Sequence, residues 1–78
     1  MSFDVLEQIR ETKRLPPPAV ARGIRRAAGV TQRAMASTLG VNRVTVARWE
    51  SGTRRPRGEL RAAYASLLRE LHDAVNPW

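Results

Sequence analysis

Residues 31–52 constrain the chain most. There a small residue, Ala36, is followed four positions later by Gly40, and then by the apolar pair Val46 and Trp49. Thr31 and Asn42 each stand where a side-chain oxygen can cap a helix that follows, and Gly40 and Ser51-Gly52 stand where those helices must stop. The segment therefore reads as two short helices joined by a tight turn. Ala36 lets the two helices cross closely, and Gly40 permits the left-handed backbone between them. Met35, Leu39 and Val41 read as core.

The remaining segments read as further helices. Residues 2–14 carry Val5, Leu6 and Ile9 as an apolar stripe, with Ser2 as a cap. Leu15-Pro16-Pro17-Pro18 interrupts that pattern, and Pro18 suits the first position of a new helix. The next helix is expected over about 18–28, with Val20, Ile24, Ala27 and Ala28 on its inner face and Arg22 and Arg26 pointing away. Gly29 ends it. Arg54-Arg55-Pro56-Arg57-Gly58 is a basic loop. A last helix is expected over 59–74, with Leu60, Tyr64, Leu67, Leu68, Leu71 and Val75 at helical spacing. No strand pattern and no internal repeat appear. The expected fold is all-α, a compact bundle of about five or six short helices, with an arm and triproline link at 1–17 and the main domain at 18–78.

At 78 residues the chain makes one small domain. It has no cysteine, so neither disulfides nor thiolate metal sites are available, and His72 alone cannot hold a metal. No cofactor is expected. The amino terminus lacks the apolar run of a signal peptide, and no segment is long and apolar enough to span a bilayer. The expected location is the cytoplasm, at the nucleoid.

The net charge of +7 is unevenly spread. Residues 1–11 set Arg10 against Asp4, Glu7 and Glu11, while residues 59–78 set Arg61 and Arg69 against Glu59, Glu70 and Asp73. Between them, residues 12–58 hold eleven basic side chains and one acid, Glu50. All the cations but Lys13 are arginine, whose planar fork suits phosphates and guanine edges. A GC-rich genome accounts for arginine over lysine but not for the clustering, which points to a polyanion as partner.

A helical wheel sharpens this reading. With Arg43 at 0°, Thr45, Trp49 and Val46 fall at about 200°, 240° and 300°, and Ala47, Val44 and Arg48 at about 40°, 100° and 140°. Arg43, Val44, Ala47 and Arg48 thus face away from the core. For an isolated helix, solvated arginines on an amphipathic surface would explain the pattern. Beside a paired helix and a basic surround, the exposed valine fits a thymine methyl and the arginines fit guanine edges in a DNA major groove. Gln32 begins the preceding helix, where free amides favour a phosphate; its side chain is alternatively in reach of the backbone or of Arg43.

With Thr31-Gln32, Ala36, Leu39-Gly40-Val41, Thr45-Val46, Trp49-Glu50, Gly52 and Arg55-Pro56, the sequence resembles the Cro/repressor-type helix-turn-helix family over about residues 18–71. The resemblance implies an all-α bundle that binds double-stranded DNA as a homodimer on a short inverted repeat. It implies base contacts from Arg43, Val44, Ala47 and Arg48, with Asn42 near the backbone or a base edge. Gln32 and Arg33 would meet phosphate, Arg54 and Arg55 would grip the flanking backbone, and Arg57 would reach phosphate or the minor groove. Arg25 and Glu50 would form a structural pair alongside Ala36, Gly40, Val46 and Trp49. Val44 departs from the polar reader frequent at its position, so no base preference carries over. The arm at 2–14 lies outside the family domain, and core, dimer and partner-binding roles stay open for it. The last helix either closes the bundle or extends Leu68, Val75 and Trp78 to a second subunit.

The expected function is a sequence-specific transcriptional regulator that occupies an operator, with polymerase as a possible protein partner. Two alternatives stand beside it: an antitoxin that represses its own operon and binds a toxin, and an accessory factor that bends DNA during recombination. A protein adaptor without DNA binding fits the basic centre poorly. Paired acids, an activated nucleophile and a phosphate-cradling glycine loop are all missing from the sequence, so no enzymatic activity is expected.

Overall fold

The capping residues set the helix boundaries. In the computed structural model, which describes residues 14–76, Thr31 Oγ1 accepts the Ala34 N–H at 3.0 Å and Asn42 Oδ1 accepts the Val44 N–H at 2.8 Å. The helices are α1 (Pro18–Ala27), α2 (Gln32–Leu39), α3 (Arg43–Ser51) and α4 (Gly58–Val75). Gly40 adopts φ 72°, and the turn closes through Val41 N–H to Ala36 C=O at 2.9 Å and Gly40 N–H to Ser37 C=O at 3.2 Å. This paired arrangement satisfies the carbonyls that the end of α2 would otherwise leave open. The same two bonds recur after α1, from Val30 to Arg25 and from Gly29 to Arg26.

The fold is all-α, with four helices and no strand among the described residues. The helix expected over 2–14 falls outside them, except for Arg14, which is not helical. Trp78 also lies outside. α2 packs on α3, and α1 packs against α3 and α4. At the centre are Ala21, Met35, Ala36, Val46, Trp49, Tyr64 and Leu68, with Leu15, Ile24, Val30, Leu39, Val41, Leu67 and Leu71 partly buried around them. The rings of Trp49 and Tyr64 lie 4.7 Å apart at 41°, a tilted contact favourable to aromatic pairs. Burial pushes the Tyr64 hydroxyl up to about 12.

Two expectations about packing are corrected. In α1 the inner face is Ala21, Ile24, Arg25 and Ala28, while Val20 is 50% exposed and Ala27 faces solvent. The helix is rotated because Arg25, and not Val20, has a buried partner to reach. In α4, Leu60 and Val75 are exposed, and the buried positions are Tyr64, Ala65 and Leu68. α4 has 18 residues against 8–10 in the other helices, so at ~1.5 Å per residue its ends overhang the helices it covers. Within the basic loop Pro56 is buried, while Arg54, Arg55 and Arg57 are exposed.

Candidate nucleic-acid interface

α3 is held from behind and open in front. Val46 and Trp49 are 0% and 5% exposed and fix the helix to the core. On the opposite side Arg43, Val44 and Arg48 are exposed, and Ala47 is half-buried between them. Two arginines and an aliphatic side chain therefore share one ridge on a short, anchored helix. Asn42 stands at the start of that ridge. Its Oδ1 is engaged in the cap, which leaves the Nδ2 amide as its available donor.

Behind the amino-terminal end of the ridge runs a hydrogen-bonded chain. Arg43 Nη1 donates to Gln32 Oε1 at 3.0 Å, and Gln32 Nε2 donates to Glu50 Oε1 at 3.0 Å. Glu50 also accepts from Arg25 Nε at 2.5 Å and from Arg25 Nη2 at 3.0 Å, and Arg25 Nη1 donates to the Val30 carbonyl at 2.8 Å. Gln32 thus reaches both Arg43 and Glu50 through its side chain, while its position at N1 keeps it at the amino-terminal end of α2.

The electrostatics follow from this geometry. Glu50 is buried, which pushes its carboxyl upward, but hydrogen bonds from Arg25 and Gln32 and the Arg25 charge outweigh that and hold it below the usual carboxylate range. The hydrogen bond to Glu50 likewise raises Arg25, against the effect of its own burial. The one acid in the basic centre is therefore neutralised inward and presents no free negative charge to the ridge.

A cleft lies at each end of α3. One is bordered by Arg22, Arg25, Arg26, Thr31, Gln32, Arg33 and Arg43. The other is bordered by Arg48, Arg54, Arg55 and Arg57 with Thr45, Trp49, Pro56 and Leu60. The structure thus gathers the basic loop with Arg48, and Gln32 and Arg33 with Arg43. Arg22 and Arg26 also join the first cleft. The sequence had placed them only away from the core, because helical periodicity does not show which neighbour an outward side chain meets.

Among the described residues no group of three or more His, Cys, Asp or Glu side chains could hold a metal, and no helix is long and apolar enough to cross a membrane. Comparison with curated proteins and with solved structures returns no match. A helix-turn-helix family model matches residues 22–72, which takes in α1, the two helices of the turn, the basic loop and most of α4. With a capped α2–α3 pair inside that span and an arginine-lined ridge on the second helix, the chain belongs to the Cro/C1-type helix-turn-helix family of DNA-binding transcriptional regulators.

Proposed function

We propose that the chain is a sequence-specific regulator that reads an operator half-site by laying α3 in the major groove. The observation that carries this is the exposed ridge of Arg43, Val44 and Arg48 on a helix whose other side is locked into the core. In this reading Arg43 and Arg48 fork onto base edges, Val44 and Ala47 meet a thymine methyl, and the Asn42 amide donates to a base edge or phosphate. Gln32 holds Arg43 in place through its side chain while the first turn of α2 faces phosphate. Arg33 on one side and Arg54, Arg55 and Arg57 on the other contact the backbone, which positions the helix without carrying sequence information. A homodimer on an inverted repeat completes the site.

The test is selection of bound duplexes from a random pool, followed by titration of variants on the winner. Arg43→Ala and Arg48→Ala are each expected to lose ~1–3 kcal/mol on the selected duplex and to relax preference at particular bases. Arg54→Ala and Arg55→Ala are expected to weaken all sequences alike and to lower the salt dependence by about one phosphate contact each. Equal losses on selected and random duplexes for Arg43→Ala and Arg48→Ala would remove base reading from the ridge.

A further inference from the structure

Five arginines border the cleft at the amino-terminal end of α2: Arg22, Arg25 and Arg26 from α1, Arg33 from α2 and Arg43 from α3. The carboxylate beside them is Glu50, and Arg25 occupies it. Among the described residues Arg25–Glu50 is the only salt bridge, so Arg22, Arg26, Arg33 and Arg43 bring four positive charges together with no ion-paired acid. Arg22 and Arg26 are one helical turn apart on the same side of α1, a like-charge spacing that works against helix stability. The start of α2 adds its own partial positive charge to the same place. Among the described residues Glu50 is the one acid beside this group; it attracts Arg22 through space but is ion-paired to Arg25, so positive charge stays in excess.

The shape of the surface agrees with an external anion. Ala19 and Gly23 lie between and beside the two arginines and line a second shallow depression with them, at the edge of which stands Glu50, 7% exposed and held by Arg25. Gly23 has ordinary helical backbone and no atom within 4 Å of where a Cβ would stand, so neither its conformation nor its packing calls for glycine. The small residues leave the two guanidinium arms standing beside a flat floor. Arg43 is common to this cleft and to the α3 ridge, so a DNA strand held at the ridge has a continuous basic path into the cleft.

We infer that Arg22 and Arg26, together with Arg33, form a second phosphate-binding surface that takes the DNA backbone flanking the half-site under α3. The inference rests on the DNA reading proposed above and adds α1 to the contact surface. Guanidinium groups suit this role because each offers paired donors to a phosphate. The surface grips without reading bases, so it extends the length of duplex the protein needs and leaves its sequence preference alone.

The test is the double variant Arg22→Gln/Arg26→Gln in the full chain, with Arg69→Gln on α4 as a control. Binding is titrated against salt on three probes: the selected duplex with about one extra helical turn (~10 bp) on each side, the same duplex trimmed to its half-sites, and a long random duplex. On both long probes the double variant is expected to lower the logarithmic salt slope by about 2, at ~0.9 per phosphate. On the trimmed probe it should match the parent, and its base preference should be unchanged. Its melting temperature should stay close to the parent's, because relief of the Arg22–Arg26 repulsion and loss of the Arg22–Glu50 attraction oppose each other. A parental slope on the long probes, or a defect that persists on the trimmed probe, would overturn the inference. Arg43→Ala and Arg48→Ala are run alongside. If those two keep the parent's base preference, base reading falls, while the random duplex still decides the role of Arg22 and Arg26 separately.

Discussion

Glu50 is the residue on which the basic surface turns. A carboxylate beside a DNA-facing helix would repel phosphate if it were free, yet here it accepts from Arg25 and Gln32 and is 7% exposed. It fixes three things at once: the rotation of α1 through Arg25, the end of that helix through the Arg25–Val30 bond, and the side chain of Gln32 that holds Arg43. Removing one partner of a buried pair strands the other charge. Glu50→Ala is therefore expected to cost ~3–5 kcal/mol at neutral pH. The folded carboxyl titrates below its unfolded counterpart, so its stabilisation is complete above the ordinary carboxylate range and is lost as pH falls through the depressed folded value. The gap between parent and Glu50→Ala should narrow from neutral to strongly acidic pH in urea unfolding. A gap that stays constant would mean that the carboxylate charge does not carry the stability.

At the scale of elements, the chain is punctuated by glycines whose backbones differ. Gly40 sits at φ 72° with open space around the site of a Cβ, and Gly23 sits inside α1 with equally open space. Sterics are thus removed from both, and conformation alone sets the outcome. Gly40→Ala is expected to destabilise by ~1–2 kcal/mol, whereas Gly23→Ala is expected to stabilise by ~0.5–1 kcal/mol. Thermal melts of the two variants check this, and shifts of the same sign would contradict it. Such local chemistry is what a sequence displays openly. The caps at Thr31 and Asn42, the Gly40 turn and the anchored back of α3 all follow from residues within a few positions of one another. The inner face of α1 does not. Apolarity favours Val20, but burial of Arg25 depends on a carboxylate 25 positions away, a pairing that only the family resemblance pointed to. The clefts are equally non-local. That Arg22 and Arg26 stand beside Arg33, and that Pro56 is buried, depends on how segments distant in sequence come together, which periodicity does not encode.

For the whole molecule, the proposed ridge sets a limit on what one copy can read. Asn42 to Arg48 advances at ~1.5 Å per residue, a span of about 9 Å, which matches only about three base-pair steps of ~3.4 Å. Three steps recur often in any genome, so a single ridge gives orientation and affinity but little selectivity. A second copy related by a two-fold axis doubles the sequence read and places the two ridges about one turn of DNA apart, ~34 Å. That geometry makes the spacing between half-sites a rigid requirement. Inserting ~5 bp between them rotates one half-site to the far side of the duplex, and inserting ~10 bp returns it to the same side at greater distance. Gel-shift titration should therefore show a steep loss of affinity for the half-turn insertion and a partial recovery for the full turn. The net charge of +7 will hold the protein on any long duplex at low salt, so the comparison belongs at physiological ionic strength, where non-specific binding is weakened. Equal affinity for all three spacings would mean that the copies bind independently, and selectivity would then have to come from contacts beyond α3.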